Sequence, residues 1–216
     1  MIKKIYLLDI NIFNNKEIYD YWYKLMSDDR KKKIDKYIQK QDKRLSLGAG
    51  VLLYKCLKEY GIKDNELVYS TYGKPYVIDN RIYFNISHAH NYVVCAFSDK
   101  EVGIDIEEKR IFKQNIIHRV FNEKEINDIE QSKEDKLQLY TELWTMKESL
   151  LKYLGTGIIM NPKKIMIDVR KKGCINCPGL NDKVYFSNFV IDDYSLTLCS
   201  EYVYFSTDIT KINLTM

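Results

Sequence analysis

The chain has 216 residues, 45% hydrophobic and 13% aromatic, which is enough for one large domain or two small lobes around real cores. Its longest apolar runs, residues 48–53 and 92–97, stop far short of the roughly 20 residues that span a bilayer, and the lysine-bearing start reads as a strand rather than a signal peptide, so no membrane segment and a cytoplasmic location are expected. A net charge of +4 is too modest to define a partner by itself, and five cysteines, an odd number with Cys56 and Cys95 inside apolar patterns, suit buried reduced thiols better than a disulfide framework.

In chain order, residues 2–9 read as a strand and 15–26 as a helix. Ser27 then supplies an N-cap, with Asp28 and Asp29 in the first turn. The basic run that follows, Arg30-Lys31-Lys32-Lys33 with Lys36, Lys40, Lys43 and Arg44, is therefore expected to be helical, as either a solvated face or an anion-binding surface. Helical spacing continues from Lys43 until Gly61, a stop signal. After the Tyr72-Gly73-Lys74-Pro75 turn, residues 76–78, 82–86, 92–98 and 102–106 read as strands of a small antiparallel sheet. Helices are expected again over 111–121, 123–131 and 133–154, then strands over 165–169, 184–191 and 194–204.

The order of helix then sheet repeats, and sliding the chain on itself supports the repeat. Ile82-Tyr83-Phe84 with Tyr92 and Ser98 matches Val184-Tyr185-Phe186 with Tyr194 and Ser200 at a single offset of 102 residues. The expected fold class is α+β, with two similar pseudosymmetric lobes over 1–102 and 103–216, each a small antiparallel sheet packed with helices, and a ligand cleft between them.

Gly103-Ile104-Asp105-Ile106-Glu107 places two carboxylates on one face of a strand, because side chains two apart point the same way. The pair is either a polar sheet face or, with hard oxygens and no thiol or imidazole close by in sequence, a magnesium site. In Trp144-Thr145-Met146-Lys147-Glu148-Ser149-Leu150-Leu151-Lys152, Glu148 and Lys152 share one helix face. They form a plain ion pair, or they offer a third carboxylate and a phosphate-binding ammonium. Phe84-Asn85-Ile86-Ser87-His88 ends a strand in polar groups able to bind phosphate oxygens, and no third ligand accompanies His88 and His90 toward zinc. Cys174 and Cys177 form a lone C-x-x-C pair that nothing completes.

Taken in order with Gly73-Lys74-Pro75, Phe121-Asn122-Glu123-Lys124-Glu125 and the upstream Arg44-Leu45-Ser46-Leu47-Gly48, these motifs resemble the signature of Sfp-like phosphopantetheinyl transferases. The resemblance spans residues 73–152 and implies transfer of the 4'-phosphopantetheine arm of coenzyme A to a serine of an apo acyl or peptidyl carrier protein, with Mg2+ bound and 3',5'-ADP released. It implies that Asp105, Glu107 and Glu148 hold the metal, that Lys152 contacts the phosphates, and that Glu125, or Glu123 beside it, is the base. It further implies that Arg30, Lys33 and Arg44 grip the 3'-phosphate and adenosine, while Lys74, Pro75, Ser87 and His88 line the nucleotide pocket. A monomer is expected, since two fused lobes replace a subunit interface. The competing class is a nucleic-acid binder using the 30–44 segment, disfavoured because the basic residues are confined to that stretch and the acidic cluster would go unexplained.

Overall fold

The computed structural model describes residues 1–63, 66–157, 160–202 and 208–215. The first half runs β1 (Ile2–Asp9), α1 (Lys16–Leu25), α2 (Asp28–Asp35), α3 (Lys40–Glu59), β2 (Leu67–Tyr69), β3 (Pro75–Val77), β4 (Tyr83–Ala89) and β5 (Tyr92–Ser98). The second runs β6 (Val102–Glu108), α4 (Gln114–Val120), α5 (Glu123–Glu130), α6 (Lys136–Leu154), β7 (Met166–Asp168), β8 (Gly173–Asn176), β9 (Tyr185–Ile191), β10 (Tyr194–Ser200) and β11 (Ile209–Lys211). One sheet has the order β11-β1-β5-β4 and the other β6-β10-β9-β8-β7, with β2 and β3 forming a separate hairpin.

Alternation along the strands builds the layers. On β1 and β5, Tyr6, Leu8, Val93, Cys95 and Phe97 face a core shared with α3, while Ile5, Leu7, Val94 and Ala96 face the second sheet. On β6 and β10, Ile104, Ile106, Leu196 and Leu198 meet them from the other side. Both sheets are thus covered on both faces, so β5 reads as a near-continuous apolar run, while β10 buries Ser195 and Thr197 along with its leucines. The result is four layers: α3, first sheet, second sheet, α6.

The two lobes repeat one topology. β5 sits between β1 and β4 as β10 sits between β6 and β9. The register repeats too, with Tyr83 opposite Ser98 and Tyr185 opposite Ser200. Both β4–β5 and β9–β10 hairpins turn through a residue of positive φ, His90 at 43° and Asp192 at 50°. The equivalent tyrosines Tyr92 and Tyr194 meet edge to face, 4.9 Å between ring centroids, and Tyr92 also donates to Asp192 at 2.6 Å.

Some strands fall differently from expectation. Residues 75–77 pair with β2 instead of β4, and β6 is the edge of the second sheet, not the fourth strand of the first. β11, after the boundary expected at 102/103, pairs in parallel with β1 of the first lobe. The basic run divides between α2 and α3, with non-helical residues 36–39 separating Arg30 and Lys33 from Arg44. The strand expected over 194–204 ends at Ser200, and residues 203–204 lie outside the described residues.

Candidate functional site

The site forms where the edge strands of the two sheets meet. Ile104 on β6 donates its backbone N–H at 3.1 Å to the Asn85 side chain on β4, which serves as the partner this edge strand lacks on that side. Two residues along, Ser87 donates its hydroxyl to Asp105 Oδ1 at 2.8 Å. Above β6 lies α6, drawn close by a glycine. A Cβ on Gly103 would stand 1.9 Å from the Ser149 carbonyl oxygen and 2.6 Å from the Tyr153 nitrogen. Only the missing side chain lets helix backbone rest on strand backbone here. That contact delivers the Trp144, Glu148 and Lys152 stripe of α6 to the Asp105 and Glu107 face of β6.

Lys152 Nζ donates at 2.6 Å to Asp105 Oδ1 and at 2.6 Å to Ser87 Oγ. Asp105 is 4% exposed, and its Oδ2 is buried with no hydrogen-bond partner. Glu107 Oε1 accepts from Trp144 Nε1 at 3.2 Å, while Arg110 approaches Oε2 at 3.8 Å. Burial first, and then the charge of Asp105, push Glu107 up to about 7. The same two causes raise Glu148. A bare D-x-E strand face would show no such crowding.

Three carboxylates of one site, one with an orphaned buried oxygen and two made reluctant to ionise, are the chemistry a hard divalent cation relieves. As the side chains stand, no three metal-ligating groups converge among the described residues. One oxygen of Asp105 and one of Glu107 are instead turned to side-chain cations, Lys152 and Arg110. The donor types fit magnesium.

The remaining expected site residues divide. His88 lies in the same region: partial desolvation, then the nearby cations Lys152 and Lys33, hold its imidazole below the usual range. Lys33 is exposed beside a surface hollow it lines with Asp29, Lys32, Lys36 and Tyr37. Arg30 lays its stem over Gly50 of α3, and burial depresses its guanidinium. Arg44 donates to Gln41 at 3.0 Å and buries an Nε without a partner. Lys74 is tied to Glu101 at 2.7 Å and to the Tyr153 carbonyl at 3.2 Å, so its ammonium fastens the hairpin carrying Pro75 to the end of α6.

Glu125 does not stand with this group. It is 1% exposed, and both its oxygens are engaged: Oε2 accepts from Lys147 Nζ at 2.7 Å and from the Asn122 N–H at 2.9 Å, and Oε1 from the Ile167 N–H at 2.9 Å. Its role is a capping box and a buried ion pair. Both of its oxygens are taken up by these contacts, and no group of the Asp105 site is among them. Glu123 is exposed on the surface. Sequence reasoning had passed over Lys147, whose ammonium also binds the carbonyls of Val120, Pro162 and Ile165. It adjoins Glu148 in sequence but lies about 100° around the helix, toward α5 and β7. The thiols of Cys174 and Cys177 both pack in the second core, on β8 and just after it, and burial raises each.

Comparison with known proteins agrees in both halves. Residues 15–100 match the family model "4'-phosphopantetheinyl transferase, N-terminal", and residues 101–199 match that of the 4'-phosphopantetheinyl transferase superfamily. The chain is 28% identical over 196 residues to 4'-phosphopantetheinyl transferase Sfp of Bacillus subtilis, covering 87% of this chain and 88% of that one. The 4'-phosphopantetheinyl transferase ffp of Bacillus subtilis is 26% identical, with 97% of each chain covered. The 4'-phosphopantetheinyl transferase gsp of Aneurinibacillus migulanus is 33% identical, covering 71% of this chain and 66% of its own. The whole two-lobed fold therefore defines one enzyme class, the transferases of 4'-phosphopantetheine. The chain belongs to the 4'-phosphopantetheinyl transferase superfamily and is of the Sfp-like type.

Proposed function

We propose that this enzyme takes the 4'-phosphopantetheine arm from coenzyme A and places it on a serine hydroxyl of an apo acyl or peptidyl carrier protein, working with Mg2+ as a cytoplasmic monomer and releasing 3',5'-ADP. The observation that carries this reading is the buried, unpartnered Oδ2 of Asp105, set beside two carboxylates whose proton affinity is raised first by burial and then by the charge of Asp105. Asp105, Glu107 and Glu148 would hold the ion, which when bound supplies positive charge to the pyrophosphate as its bond breaks.

The serine oxygen attacks the phosphorus that bears the pantetheine, and the bond from that phosphorus to the bridging oxygen breaks. The bridging oxygen leaves with 3',5'-ADP. The serine proton passes to Glu148, half-buried in the site, since both oxygens of Glu125 are engaged. Lys152 offers its ammonium to the leaving phosphate, with Ser87 and Asp105 fixing its direction. Arg30 and Lys33, with Arg44 and His88, grip the 3'-phosphate and adenosine end.

Mass spectrometry of apo carrier proteins from fatty acid, polyketide and nonribosomal peptide assembly, incubated with this enzyme, coenzyme A and Mg2+, tests the reading. One phosphopantetheine is expected on at least one of them, lost on chelation and in Asp105→Ala. No gain on any carrier, or undiminished transfer by Asp105→Ala, would refute it.

A further inference from the structure

Glu107 is held from two sides. Trp144 donates to one oxygen at 3.2 Å, and the Arg110 guanidinium approaches the other at 3.8 Å. Arg110 is itself racked on aromatic faces, 5.3 Å from the Phe112 centroid and 5.7 Å from that of Trp144. It leaves about half of its side chain in water, 51% exposed, so a short swing frees it without breaking a core. Lys152 is hydrogen-bonded to Asp105 at 2.6 Å, whereas Arg110 stands off Glu107 at 3.8 Å and has no part in the proposed transfer.

We infer that Arg110 is the internal counter-ion of Glu107, parked on the Phe112 and Trp144 rings, and that a metal ion entering the site must displace it. Arg110 thereby lowers the affinity of the site for metal and partly offsets the charge of Glu107 when no ion is bound. It is a positioning residue. The inference rests on the metal reading of Asp105, Glu107 and Glu148.

The test is titration of the ligand-free enzyme with Mn2+ as the probe, read by electron paramagnetic resonance of the free ion, which needs no turnover. Arg110→Gln is expected to bind Mn2+ roughly two- to fivefold more tightly than wild type, the range for one half-exposed charge pair. Arg110→Lys keeps the charge and is expected to stay near the wild-type affinity. Tightening in both variants, or in neither, would overturn the counter-ion role while leaving the metal site standing. Wild-type enzyme that binds no Mn2+ would remove the metal reading itself, and this inference with it.

Discussion

Gly103 lies against the backbone of α6 so closely that a methyl group in its place would overlap the carbonyl oxygen of Ser149. The seam sits two residues from Asp105 and one from Glu148, so it sets the spacing of the site. Gly103→Ala is expected to push helix and strand apart, costing about 3 kcal/mol of stability and about a hundredfold in transfer rate. Urea unfolding and single-turnover transfer measure the two losses. A variant with wild-type rate would show that the carboxylate spacing tolerates movement of α6.

Breaking the buried Glu125–Lys147 pair leaves an uncompensated charge in the core. Glu125→Ala is expected to lose about 3–5 kcal/mol. Glu125→Gln keeps a side-chain acceptor and, assayed below its unfolding transition, is expected to retain transfer. Abolished transfer in a folded Glu125→Gln enzyme would return this residue to the chemistry.

Glu107 holds its proton more tightly in the fold, at about 7 against an ordinary 4.5, chiefly because it is buried. Between those values the folded state carries more protons than the unfolded one, so stability falls as pH rises through the window. Glu148, raised too, acts with the same sign. The metal-free enzyme is therefore expected to melt at lower temperature at pH 7.5 than at pH 5, with the drop smaller in Glu107→Gln. Saturating Mg2+ should restore most of the loss at the higher pH. An identical pH dependence in wild type and Glu107→Gln would rule out this origin.

Lys33 should distinguish two nucleotides. Only coenzyme A carries the 3'-phosphate, so Lys33→Ala is expected to raise KM for coenzyme A about tenfold and to leave dephospho-coenzyme A nearly unchanged. Equal losses for both would remove Lys33 from the 3'-phosphate grip.

What the sequence discloses and what it hides follow from range. The 102-residue offset lands on β4 with β9 and β5 with β10, in matching register, because local strand patterns repeat wherever topology repeats. Asp105 and Glu107 share a face by alternation alone, and Glu148 and Lys152 by helical spacing. The hidden features are contacts between distant segments. Nothing near Lys147 announces four partners 15 to 27 residues away. Nor does Gly73-Lys74-Pro75 announce that its lysine finds Glu101 and the end of α6. Cys174 and Cys177 should face opposite ways in a regular strand; the register shift between Met166 and Ile167 accompanies their common inward packing.

β11 gives the fold a schedule. The first sheet has its outer strand supplied by Ile209–Lys211, so as the chain leaves the ribosome β1 is finished some two hundred residues before its parallel neighbour exists. Until then the β1 edge stands open, a template for pairing with any other nascent chain. The amino-terminal half is consequently completed from the far side of the second lobe: a chain cut after β10 would keep both hairpins and every proposed site residue, yet leave the sheet beneath them unsealed.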